Sequence, residues 1–175
     1  SDSGDGLYAF SHHLVQEVVY ERTLHPRRVG SHRKLAAAIL TLRPNDTAGL
    51  AYHFERAGDG VRAREYHLRA AEQSEAVYAY EEAVEHYRAA LAGWPAEDRA
   101  GRAKAYHRLG DCLHLVGQTQ AGLEILTRAL EEVEKEGDAA ACSTLEREIA
   151  WVTWEAGDGA AALEHAKRAY ELVKD

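Results

Sequence analysis

The amino-acid sequence predicts an all-α superhelix of antiparallel helix pairs, and two observations carry that prediction. Three times a glycine-centred turn is followed five positions later by a small residue: Gly58 with Ala63, Gly117 with Gly122, and Gly157 with Ala162. Between these turns apolar residues recur at helical spacing, and a hydrophobic content of 46% over 175 residues suffices for a continuous core. Methionine is wholly absent, the first position included, which predicts a segment of a longer polypeptide.

The elements follow in order. Residues 1–6 read as a flexible polar lead, and Leu7-Tyr8-Ala9-Phe10 alternates in a way that suits one short strand. Ser11 can cap a helix by accepting a backbone N–H, with Leu14, Val15, Val18 and Val19 at helical spacing behind it. Pro26 suits a first helical turn, where its missing N–H would have no partner anyway. That helix is predicted over Pro26 to Leu42, with Val29, Leu35, Ala36, Ile39 and Leu40 inward; Asp46 or Thr47 then caps the next. Further helices are predicted over about 47–57, 60–76, 81–92, 98–116, 119–135, 140–156 and 159–173, separated by Gly-, Pro- and Asp-containing breaks. The break at Tyr78-Ala79-Tyr80 contains no glycine or proline. Yet Ala83, Tyr87 and Ala90 repeat the second half of a pair, so helix 60–76 is expected to close one pair and open the next.

The clearest pair runs Tyr106, Leu109, Gly110, Leu113, Gly117, Gly122, Leu126, Ala129, and it resembles the tetratricopeptide (TPR) repeat, whose period is about 34 residues. Gly110 falls inside a helix, where glycine costs roughly 1 kcal/mol against alanine. Close approach of a neighbouring helix explains that choice. Ala63, Ala70, Ala129, Ala162 and Ala169 are expected to serve the same purpose, while Leu109, Leu113, Leu126, Leu130, Ile149 and Leu163 fill the interior.

A second resemblance rests on Phe10-Ser11-His12-His13-Leu14-Val15-Gln16-Glu17-Val18-Val19-Tyr20, then Arg27-Arg28 and Ser31-His32-Arg33-Lys34-Leu35-Ala36. This stretch resembles the junction of bacterial STAND-class signalling ATPases, in which an AAA-like core and a winged-helix module lead into TPR repeats, as in maltose-activator-like and cyclase-linked regulators. Ser31-His32 replaces the more usual Leu-His. The resemblance implies a helical linker from a winged-helix module over 7–43 and a TPR-like array over 44–175, with the ATPase core as an intramolecular partner and transcription regulation or signal transduction as the output.

Composition restricts the function classes. A net charge of −8 and a pI near 5.7 argue against a dedicated nucleic-acid binder, which requires a basic surface. Cys112 and Cys142 are isolated, so neither a disulfide framework nor a zinc module is indicated, and a reducing cytoplasmic setting is expected. No apolar run approaches the roughly 18 residues of a membrane span, so no membrane partner is expected. There is no phosphate loop of the form GxxxxGK[ST], no GxSxG and no HExxH, so a non-catalytic chain without a cofactor is expected.

The candidate sites follow from the helical register. If Leu109, Leu113, Ile149 and Thr153 face the core, the groove side carries Lys104, His107, Asp111 and His114 in one pair and Arg147, Trp151 and Trp154 in the next. Tyr52 and Glu55 take the equivalent places earlier in the chain. Such exposed aromatics are enriched at binding surfaces, so the groove is expected to hold a protein, a peptide or a small effector. The tryptophans could instead lie under a further repeat or under the protein's own N-terminal helices; left exposed, they would invite a homodimer through the repeat end. His107, Asp111 and His114 share one helix face at metal-ligand spacing, which keeps a metal-dependent enzyme as an alternative, beside a passive interaction scaffold. Arg27, Arg28, Arg33 and Lys34 form a basic patch suited to an acidic surface of the ATPase core, whereas Glu131, Glu132, Glu134 and Glu136 read as solvated surface.

Overall fold

A computed structural model describes residues 13–174. The expected lead at 1–6, the Leu7–Phe10 strand and the Ser11 cap lie outside the described residues. Among the described residues there are nine helices and no strand: α1 (His13–Arg22), α2 (His25–Leu42), α3 (Thr47–Arg56), α4 (Gly60–Ala76), α5 (Tyr80–Leu91), α6 (Arg99–Leu115), α7 (Thr119–Glu136), α8 (Ala139–Glu155) and α9 (Gly159–Glu171). Aspartates set the starts of five of them. Asp46, Asp59, Asp98, Asp138 and Asp158 each accept a hydrogen bond from the backbone N–H three residues on, satisfying a donor that the helix itself leaves unpaired.

From α2 to α9 each helix packs on its neighbours in chain order, so the core is a row of clusters rather than a single centre. Ala36, Ile39, Leu50, Phe54 and Ala63 form the first; Ala71, Val84, Tyr87, Leu109 and Leu113 belong to the second; Leu126, Leu130, Leu145, Ile149 and Val152 belong to the third. Such a quasi-linear array has the form of an antiparallel-pair superhelix.

Four turns, not three, share one geometry. Gly58, Gly117 and Gly157 have φ of 74°, 79° and 93°, and Tyr78 holds the same left-handed conformation at 61°. The hydrogen bonds match too. Gly117 N–H donates to His114 O at 2.9 Å and Gln118 N–H to Leu113 O at 2.8 Å; Tyr78 N–H donates to Glu75 O and Ala79 N–H to Ser74 O, both at 2.9 Å. Counting from each turn, the residue five places on is buried and small in all four cases (Ala63, Ala83, Gly122, Ala162), and the residue twelve places on is a buried alanine (Ala70, Ala90, Ala129, Ala169). The helix α4 therefore lies in two hairpins: Ala70 is the twelfth residue after one turn and the eighth before the next.

The two mid-helix glycines mark where α6 crosses α7. A Cβ on Gly110 would stand 2.7 Å from Leu126 Cγ, and one on Gly122 would stand 2.9 Å from the Gly110 carbonyl oxygen. Three expectations need correction. Leu163 does not fill the interior but is 56% exposed, because none of the described helices covers that side of α9. Leu35 is likewise exposed, on the outer side of α2. Glu132 is not free surface: it is held by Arg102 at 2.6 Å in a half-buried pair between α6 and α7, and that hydrogen bond keeps its carboxyl below the usual range.

Candidate functional site: a groove along α4, α6 and α8

The first helices of the last three hairpins, α4, α6 and α8, lie side by side and enclose an open cavity of about 470 Å³. Glu75 comes from α4, Arg108, Asp111 and His114 from α6, and Glu148, Trp151 and Glu155 from α8. Ion pairs join the three helices: Arg108 bonds Glu75 on one side, and His114 Nε2 lies 2.7 Å from Glu155 Oε2 on the other. The His114 ring is also held at Nδ1 by the Thr119 hydroxyl at 3.3 Å, which fixes its orientation at the mouth of the turn.

Between these pairs lies a less satisfied group. Single ligand atoms of His107, Asp111 and Glu148 all lie within 4.8 Å of one another, and Asp111 Oδ1 is buried with no hydrogen-bond partner. Burial pushes the Asp111 carboxyl up, His107 pulls it down, and Glu148 pushes it up again; the net direction is upward. These three side chains could hold a divalent cation. The guanidinium of Arg108, with Nη1 3.7 Å from Asp111 Oδ2, already supplies positive charge beside them. The cation set thus differs from the spacing-based expectation, since His114 pairs with Glu155 while Glu148 of the next helix joins His107 and Asp111. Burial raises the Cys112 thiol to about 11, so it stays protonated and unreactive at neutral pH.

The other candidates separate. Lys104 and His107 line a second cavity of about 250 Å³ against the start of α8, with Val133, Asp138 and Leu145. Trp151 and Trp154 are 55% and 58% exposed with ring centroids 5.3 Å apart, but Trp151 alone is in the lining of the groove cavity. Arg147 and Trp154 share the exposed stripe next to it. Tyr52 is not brought to this groove; it packs edge-on against His32 and His53 and under the guanidinium of Arg56. In the basic patch, Arg27, Arg33 and Lys34 are exposed, whereas Arg28 lies over the Tyr20 ring at 5.0 Å.

Two histidine pairs were not apparent in the sequence. His32 and His53 approach at 2.8 Å between their Nδ1 atoms, and His67 and His86 at 3.0 Å, each pair joining different helices. Burial lowers the pKa of all four. Glu146 is another: fully enclosed on α8, it receives His165 of α9 at 2.6 Å. The only sequence signal was an acidic residue on an otherwise apolar stripe.

Residues 101–175 match the family model of the tetratricopeptide repeat. This stretch is similar to a TPR region. The match spans α6 to α9, where the hairpin register is most regular, and the TPR-like superhelical fold extends over α2 to α5. Among solved structures the chain is similar to BtubC (BKLC) from P. vanneervenii, at 16% identity and TM-score 0.56 over 87% of this chain and 74% of that one. It is also similar to the MamA RS-1 ArsTM double mutant, at 17% identity and TM-score 0.54 over 92% and 94% of the two chains. A Podosopora anserina chain of nearly identical TPR-like repeats aligns at 16% identity and TM-score 0.52 over 93% and 97%. No curated protein sequence matches this one. None of the described helices is long and apolar enough to cross a membrane.

Proposed function

We propose that the array is a protein-interaction scaffold that receives a peptide or protein segment in the groove along α4, α6 and α8. The observation carrying this reading is the cavity itself. It is open, it spans the first helices of three successive hairpins, and it combines an exposed indole with carboxylates that outnumber the cations beside them. Glu75, Asp111, Glu148 and Glu155 stand against Arg108 and His114 in the lining, so the centre next to Trp151 is net acidic even with Arg108 shared between Glu75 and Asp111. A segment carrying Lys or Arg fits that centre, because its cation would meet two carboxylates and an indole face.

The resemblance of residues 10–36 supports a finer reading: this array is the sensor region of a STAND-type regulator, linked through 7–43 to a winged-helix module and an ATPase core. Partner binding in the groove would then shift the array relative to that core, and the exposed Arg27, Arg33 and Lys34 would contact it. The shift requires different affinities of the partner for the two arrangements. A Lys-containing peptide library screened by Trp151 fluorescence tests the groove. The reading expects saturable quenching, abolished in Trp151→Ala and weakened in Glu148→Gln; ligands that bind both variants like the parent protein would refute it. An effector-independent ATPase rate in a chain containing both the core and this array would leave a passive scaffold.

A further inference from the structure

The helix α6 places His107 and Asp111 four residues apart, so both side chains lie on one face, with Nε2 of the first 3.7 Å from Oδ2 of the second. Glu148 of α8 reaches the same spot: one ligand atom from each of His107, Asp111 and Glu148 lies within 4.8 Å of the other two. Yet none of the three side chains makes a hydrogen bond to another described residue. The cluster is also short of positive charge. Arg108 is shared, bonding Glu75 of α4 through Nη2 and standing 3.7 Å from Asp111 Oδ2 through Nη1, beyond hydrogen-bond distance. Asp111 Oδ1 is fully enclosed and has no partner at all. A carboxylate oxygen withdrawn from water without a partner costs free energy, and two carboxylates brought together from different helices repel. A cation bound between them removes both costs.

We propose that His107, Asp111 and Glu148 bind a divalent cation of the late first transition row, Zn2+ foremost, which ties α6 to α8. The donor set selects that class. One imidazole and two carboxylates suit zinc and its neighbours, whereas Mg2+ and Ca2+ take oxygen ligands. Zinc bonds such ligands at about 2.0–2.2 Å, which sets the ligand atoms of a tetrahedron about 3.3 Å apart. Side-chain rotation closes the gap from 3.7 Å between His107 and Asp111 and from at most 4.8 Å to Glu148. Three protein ligands leave the fourth position to water. His114 is not a member, because Glu155 holds it at 2.7 Å. The proposal goes beyond the groove reading and does not rest on it, although both use Asp111 and Glu148: the cation and a Lys side chain of a bound segment are alternatives for one place.

Isothermal titration of the whole, chelator-treated protein with Zn2+, in the absence of any peptide, tests the site. Saturable binding is expected, with Kd raised about tenfold or more in both His107→Gln and Glu148→Gln, since loss of even an outer-shell partner weakens a metal site on that scale. Mg2+ should not compete at equal concentration. The histidine pairs His32–His53 and His67–His86 are rival zinc ligands, so His53→Gln/His86→Gln is titrated alongside and should keep the parent Kd. Circular dichroism checks that each variant folds, and Zn2+ should raise the melting temperature of the parent protein but not of Glu148→Gln. The proposal is overturned if the parent shows no saturable binding, if His107→Gln and Glu148→Gln bind as tightly as the parent, or if the double histidine variant is the one that loses the ion. Because no peptide is present, such a failure leaves the groove reading standing, and a groove that takes no Lys-containing peptide leaves the zinc site standing.

Discussion

The hairpins α6/α7 and α8/α9 are built on one register and end in opposite conditions. In α6/α7 the residues six and thirteen places after the turn, Leu123 and Leu130, are roofed by α8, and the glycines Gly110 and Gly122 let the two backbones come into contact. In α8/α9 the same positions carry Leu163 and Tyr170 in the open, and Trp151 and Trp154 take the places of Asp111 and His114. A register therefore says which side of a helix is prepared for burial. Whether burial occurs is decided by the next helix in the array.

The comparison breaks most directly at position thirteen. Leu130→Ala should cost about 2–5 kcal/mol, because Leu130 lies between α7 and α8 and leaves a cavity there. Tyr170→Ala, its equivalent, should change stability by no more than about 0.5 kcal/mol, as at an open surface. Urea unfolding followed by circular dichroism measures both, and equal costs would show that α9 is covered. At the crossing, Gly122→Val should cost on the order of 1–3 kcal/mol, since its side chain meets the Gly110 carbonyl rather than a movable side-chain end.

A smaller effect distinguishes the two halves by pH. In α2 to α5 the histidines face each other: His32 meets His53 and the Tyr20 hydroxyl near Arg28 and Arg56, His53 lies near Asp46, His67 meets His86 and lies near Glu55, and His86 lies near Glu82 and Glu85. Burial lowers all four pKa values in the folded chain, so the unfolded chain binds more protons as pH drops below about 6.5. Stability contributed by these pairs is thus full above that pH and is lost as the solution is acidified towards the lowered folded values. The melting temperature should fall between pH 7.5 and 5.5, and His86→Gln should flatten that dependence; a slope unchanged by the substitution would contradict the assignment. The smallest change expected is a gain. Tyr78→Gly should stabilise by about 0.5–1 kcal/mol, by relieving a left-handed tyrosine at a position the other three hairpins give to glycine.

Helix bounds were legible because aspartate caps and glycine turns are local devices, and the observed bounds fall within one or two residues of the expected ones, the start of α1 aside. The Tyr78 turn was half legible. Its glycine is missing, but Ala83 and Ala90 keep their places, because the demand for a small residue comes from the neighbouring helix and not from the turn. The stripe was legible and the assembly was not: Asp111, His114 and Trp151 line one cavity, while Glu148, the third member of the group with His107 and Asp111, comes from a helix whose approach no local pattern encodes. Leu163 was misplaced for the converse reason, since its periodicity is that of a core residue. The histidine pairs are not legible in the sequence, because their members are 21 and 19 positions apart and follow no helical period.

The double membership of α4 bears on how the protein opens. Its Ala63 packs with Leu50 and Phe54 of α3, while its Ala71 packs with Ala83 and Val84 of α5 and its Ser74 hydroxyl donates to Glu82, so one helix holds both hairpins. Amide exchange should accordingly find α3, α4 and α5 protected as one cooperative block. The α8/α9 hairpin, which among the described residues rests on the α6/α7 hairpin, should exchange before that block, so that protection falls along the row rather than all at once.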